Sequence, residues 1–180
     1  MVTHKIKINQ KISPFLWFDK QAEEAINFYV SIFAGSPAKK ADSKIVSIKR
    51  YPEGIKEGPM KGMDGKVLTA VFELEGQTFM ALDGGPFFKP TGAVSFYVDC
   101  ETQKEVDYFW EQLGKGGDPK TQQCGWLMDK YGFSWQVIPS ALPTLLNDPD
   151  KEKANRVLQA MMQMKKIEIK KLEQAYERST

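Results

Sequence analysis

The 180-residue chain reads as an α+β protein, with two βαβββ modules forming a cupped mixed sheet and a C-terminal helical extension. Three observations predict this. A strand–helix–strands order occurs twice, over residues 12–82 and 92–138. The linker DGGPFFKP, residues 83–90, separates the two runs. Residues 148–177 then change to a helical pattern with a methionine stripe. One such unit cannot cover its own sheet face, so two curving together would enclose a trough. The paired modules make one domain over 12–139, and 148–177 is its tail.

Taken in order, ISPFLWF at 12–18 is a short apolar strand, with Pro14 confining it to an early or edge position. Asp19 offers an N-cap, and Ala22, Ala25, Ile26, Tyr29, Ile32 and Phe33 recur at helical spacing over 20–33. Gly35, Ser36 and Pro37 end that helix. KIVSIKR at 44–50 alternates as a strand does, and 51–65 holds four Gly and two Pro, a long loop. Residues 67–74 and 77–82 are strands around a turn at Glu75-Gly76.

In the second run AVSFYV at 93–98 is a strand, and Thr102 and Glu105 make the T-x-x-E capping pair. Val106, Phe109, Trp110 and Leu113 form the stripe of the second helix. Residues 125–128 and 133–138 are strands around a turn at 129–132. In the tail, Asp148 with Pro149 after it predicts a helix start, and Ile169, Leu172 and Tyr176 predict a further short helix.

Composition narrows the function. Hydrophobic residues at 42% and charged residues at 27% are globular values, so a core can form without disulfide or metal support. Twenty-five Lys+Arg against 23 Asp+Glu leave a formal +2, too balanced for a nucleic-acid footprint. Lys165, Lys166, Lys170 and Lys171 cluster, but Glu168 and Glu173 interleave with them as on a solvated helix face. No apolar run spans a membrane and no signal core opens the chain, which predicts a cytoplasmic protein. The one histidine, His4, leaves a Ser-His-Asp or Cys-His system without a plausible base and excludes a multi-histidine zinc site. Cys100 and Cys124 match no metal spacing.

FLWFD with AEEAINFYVSIF at 15–33, LDGGPFF at 82–88 and CGWLMDKYGFSWQVIP at 124–139 together resemble the PhnB-like branch of the glyoxalase/bleomycin-resistance/dioxygenase, or vicinal oxygen chelate, superfamily. The tail RVLQAMMQMKKIEIKKLEQAY resembles that branch too. The branch often carries the label 3-demethylubiquinone-9 3-methyltransferase. The resemblance covers residues 12–176 and implies paired βαβββ modules and a homodimer. Metal-using relatives hold a divalent ion through four side chains on the first and last strands of each module. Carried over, those positions are Ser13, Ala81, Ala93 and Gln136. Two alanines cannot ligate, and serine and glutamine are weak donors, so no metal and no cofactor is expected. The methyltransferase label finds no support either, because Asp83-Gly84-Gly85-Pro86 leads to Phe87 and Phe88 rather than into a helix.

Strand alternation then gives a lining. If Ser13 faces the trough, so do Phe15 and Trp17. Ala81 brings Phe79, Ala93 brings Ser95 and Tyr97, and Gln136 brings Ser134 and Ile138. Trp135 would then face the helices, and Trp126 is read as packing. The expected ligand site is Ser13, Phe15, Trp17, Phe79, Ser95, Tyr97 and Gln136, an aromatic cup with a few polar groups. Three readings stay open. One is a metal-independent small-molecule binding protein. Another is a lyase or isomerase, metal-dependent or using Asp83 as acid or base, with Cys124 as a weaker catalytic candidate. The last is a structural dimer whose aromatics only fill a core. Asp83 before two glycines also suits a turn, and Cys124 suits inert packing.

Overall fold

The structure, a computed structural model, describes residues 10–178; His4 lies outside them. The chain divides between Pro90 and Thr91 into two compact units. The first unit orders β1 (Phe15–Phe18), α1 (Ala22–Ala34), β2 (Lys44–Arg50), β3 (Val67–Leu74) and β4 (Gln77–Asp83). Its sheet runs β1-β4-β3-β2, with β1 parallel to β4 and the other pairs antiparallel. The second unit orders β5 (Ser95–Cys100), α2 (Gln103–Gly114), β6 (Trp126–Met128) and β7 (Ser134–Pro139), in a three-stranded sheet β5-β7-β6. There too the first strand is parallel to the last. That shared pairing makes the internal repeat structural.

α1 buries Ala22, Ala25, Ile26, Tyr29, Ile32 and Phe33, the stripe its spacing predicts. Its start differs from expectation. The N-cap residue is Gln21, with no side-chain capping bond, and Asp19 is not used. Asp83, at the end of β4, serves instead, its Oδ1 accepting from the Ala22 N–H at 2.8 Å. A cap from a distant strand satisfies the same orphan donor as a local one and favours the positive helix end in the same way. α2 begins as predicted, with the Thr102–Glu105 capping box complete.

The tail belongs to the second unit. It forms α3 (Ala141–Leu146), α4 (Lys151–Met162) and α5 (Ile169–Glu177). The α4 cap is Asp150, whose Oδ1 accepts from Glu152 and Lys153 N–H. Asp148, expected as the cap, instead accepts from the Asp150 N–H and the Tyr176 hydroxyl. Ile138, Leu142, Val157, Met164, Ile167 and Leu172 make one buried cluster, so the tail packs as core against the second sheet. Residues 162–169 strap it down. Met164 and Lys165 carbonyls accept from Cys124 and Gly125 N–H at 2.8 and 2.7 Å. The Gln103 amide donates to the Ile167 carbonyl and accepts from the Ile169 N–H.

Candidate functional site: the strand faces opposite the helices

Paired residues on neighbouring strands share a face, so the registers sort each sheet. In the first unit Leu16 and Phe18 pair with Ala81 and Asp83, and Ala70 and Phe72 pair with Ala81 and Phe79. All but one of these contacts are hydrophobic and buried, and Asp83 reaches the α1 N-terminus. This is the helix face. Phe15 and Trp17 pair with Met80 and Leu82 on the opposite face. Phe79 and Ala81 therefore do not share a face with Phe15 and Trp17, contrary to the expected lining. Phe79 stacks on Phe72 at 5.5 Å in the core under α1. β4 carries apolar and polar residues on both faces, Gln77, Phe79, Ala81 and Asp83 on one and Thr78, Met80 and Leu82 on the other, so its alternation could not show which side α1 covers.

Trp17 is held firmly. Its indole N–H donates to the Gly85 carbonyl at 2.9 Å, and the Phe88 ring meets it edge-on at 4.9 Å. Gly84 lies so close to the indole that a Cβ there would stand 2.2 Å from Trp17 Cζ2. The LDGG segment thus clasps a tryptophan. Phe15 is 49% exposed on that same face. Ser13 precedes β1, and its enclosed hydroxyl has no hydrogen-bond partner among the described residues.

In the second unit, Trp135 and Leu127 pair on the α2 side, as expected for Trp135, and Leu127 lies beside Gly114 of α2. The other face carries Ser95, Tyr97, Ser134 and Gln136 together, and Ile138 with them, as alternation predicts, but Ile138 is buried in the cluster with the tail rather than open. Trp126 pairs with Gln136 and joins them. Tyr97, Gln136 and Trp126 therefore form a row across three strands, with Tyr97 51% and Trp126 37% exposed. Gln136 Nε2 donates to Ser95 Oγ at 2.8 Å. Burial and then the Asp99 charge raise the Tyr97 pKa, so its hydroxyl keeps its proton at neutral pH. Sequence reasoning missed Trp126, because a turn at 129–132 would set it opposite Trp135; the Asp129 N–H instead donates to the Phe133 carbonyl, which shortens the turn by one residue and sets Trp126 opposite Gln136. Ala93 does not belong to the strand at all. It lies exposed in a turn, and β5 starts at Ser95.

Asp83 is not placed for acid–base chemistry. It is 1% exposed, and besides capping α1 its Oδ2 accepts from the Val67 N–H at 2.9 Å. Cys124 sits just before β6 in a left-handed conformation, φ 51°, its Sγ accepting from the Gln123 amide. Cys100 is fully buried, and burial first, then Glu105 and Asp99, push its thiol to about 12. A divalent metal of the expected kind does not fit these residues. Ala81 points at α1, the β4 residues on the other face are Thr78, Met80 and Leu82, and Ala93 has left the strand. Among the described residues no group of three His, Cys, Asp or Glu could hold a metal.

With this geometry in hand, the chain can be set beside known proteins. The family described as 3-demethylubiquinone-9 3-methyltransferase matches residues 10–138. The chain belongs to this PhnB-like family. A Bacillus cereus PhnB protein carrying the same methyltransferase name is 42% identical, with a TM-score of 0.59. The match covers 73% of this chain and all of that one. Protein PA1353 of Pseudomonas aeruginosa is 18% identical with a TM-score of 0.53, over 70% of this chain and 94% of that one, a likeness of fold alone. Among curated proteins, none matches. The PhnB-like match ends at Ile138, so α3, α4 and α5 lie beyond it. Among the described residues, no helix is long and apolar enough to cross a membrane.

Proposed function

We propose that this PhnB-like protein binds a small organic molecule without metal, on the strand faces opposite α1 and α2. The observation that carries this reading is the Tyr97–Gln136–Trp126 row. Two exposed aromatic side chains flank an amide on one sheet face. Apolar walls with a few fixed polar groups are how small-ligand sites are built. Phe15 and the clasped Trp17 offer a similar surface in the first unit. The repeated parallel pairing of first and last strand supports placing the fold in the glyoxalase superfamily. We assign no methyl transfer. The three strand-to-helix joins, at 19–21, 101–102 and Ser140, contain no glycine to admit a nucleotide cofactor against the helix start. A lyase or isomerase acting through Asp83 is disfavoured by the two backbone N–H groups that occupy its carboxylate.

Exposed Ile12, Phe87, Phe88 and Val94 support a homodimer, and two free thiols suit the reducing cytoplasm. The test is native mass spectrometry and metal analysis of protein purified without chelators or metal-affinity resin. A metal-free dimer whose tryptophan fluorescence responds to small aromatics supports the reading. Stoichiometric zinc, iron, nickel or manganese overturns it.

A further inference from the structure

The polar groups on the second sheet's face opposite α2 define what kind of molecule it would take. Gln136 Nε2 donates to Ser95 Oγ. The pair keeps an acceptor, Gln136 Oε1, and two donors, the second Nε2 N–H and the Ser95 hydroxyl proton. If the amide is turned over, Ser95 donates to Gln136 Oε1 and both Nε2 N–H groups remain as donors. Among the described residues neither Ser95 nor Gln136 has another side-chain partner. A primary amide carries its oxygen beside an N–H, so Gln136 matches a ligand edge that also carries an acceptor beside a donor. A lactam or cyclic amide has that edge.

The flanks set the rest. Tyr97 and Trp126 stand one strand to either side of Gln136. Their backbones are therefore about 10 Å apart, twice the spacing between strands. That span suits one or two fused planar rings stacked against an aromatic side chain. Charge argues the same way. β5, β6 and β7 contain no Lys, Arg or His, and their single ionisable carboxylate is Asp99, which accepts from the Ser140 hydroxyl. An anion lying on these strands would lose hydration and meet no cation from them in return.

We infer that the Tyr97–Gln136–Trp126 face selects an uncharged, planar aromatic ring bearing a lactam-type donor–acceptor edge. This rests on the small-molecule reading proposed above and names the ligand class. The test uses the full chain and four probes: quinolin-2(1H)-one, its N-methyl derivative, quinoline-2-carboxylate and naphthalene, titrated by tryptophan fluorescence and calorimetry. The lactam is expected to bind about tenfold more tightly than the N-methyl compound, because one or two hydrogen bonds are lost. The carboxylate is expected to bind more weakly than both. Gln136→Leu should erase the difference between lactam and N-methyl compound, and Trp126→Ala should weaken both. Ser95→Ala repeats the first comparison should Gln136→Leu fail to fold, and the wild-type ranking needs no variant. Equal binding of lactam, N-methyl compound and naphthalene, all lost in Trp126→Ala, overturns the lactam inference and leaves the aromatic binding face standing. Preference for the carboxylate also overturns it. Failure of all four probes to bind overturns both the inference and the reading beneath it.

Discussion

Asp83 shows how much one side chain can hold in this protein. Its carboxylate accepts from the start of α1 and the start of β3, and its own carbonyl accepts from the Tyr51 hydroxyl at 3.2 Å. Asp83→Ala leaves two buried N–H donors without partners, and the expected loss is about 2–4 kcal/mol by urea denaturation. Loss of any activity in that variant would therefore reflect folding as much as chemistry. Gly84→Ala must push the Trp17 ring away, since the added carbon would stand 2.2 Å from it. The expected outcome is a loss of about 1–3 kcal/mol together with changed tryptophan emission. At Cys100 the sign follows from burial. A thiol raised in the folded state stabilises it fully below the ordinary 9.0, and that contribution is lost as pH rises toward about 12. A pH series of melting temperatures for wild type and Cys100→Ala should therefore converge above pH 9. The helix stripe of α1 and the capping box of α2 were legible because both depend on neighbours in sequence. The Asp83 cap was not, because its partner donor lies 61 residues away.

The elements tell the same story at the next scale. Alternation from Ala93 and Gln136 brought Ser95, Tyr97 and Gln136 to one face correctly, because β5 and β7 pair with Ser95 beside Ser134 and Tyr97 beside Gln136. It failed on β4, where both faces mix polar and apolar residues and neither can be used to orient the strand. In unit one the true face opposite α1 could be chosen only once Asp83 was known to reach Ala22. The α4 start also slipped, from Asp148 to Asp150. An Asx bond from Asp148 to the Asp150 N–H winds the chain two residues further before the helix begins. Asp150→Ala should cost about 1 kcal/mol, while Asp150→Asn or Asp150→Ser should restore most of it, read by chemical denaturation.

For the whole molecule, the order of elements was legible and the dependence of the second unit on its tail was not. The methionine stripe of the sequence turns out to be divided, with Met164 buried and Met162 exposed. Leu142, Val157, Met164, Ile167 and Leu172 share one buried cluster with Ile138 of the sheet. Removing residues after Pro139 strips that strand end of its cover. The truncated chain is expected to keep a protease-resistant fragment near residues 10–90 and to lose protection beyond it, as read by limited proteolysis and mass spectrometry. Resistance extending to Pro139 would show that the second sheet stands without its helices.

The strap at 162–169 also has a consequence for synthesis. A chain leaves the ribosome from its first residue onward, and its domains tend to fold in that order. Every partner inside the first unit has emerged once residue 90 is out. The second unit must wait longer, because the N–H groups of Cys124 and Gly125 are met by the carbonyls of Met164 and Lys165, and Gln103 completes its bonds only with Ile167 and Ile169. Until then Ile138 and the β6 edge stay uncovered. Nascent chains stalled near residue 160 should therefore recruit chaperones more strongly than chains stalled near residue 110, although they carry more of the finished protein.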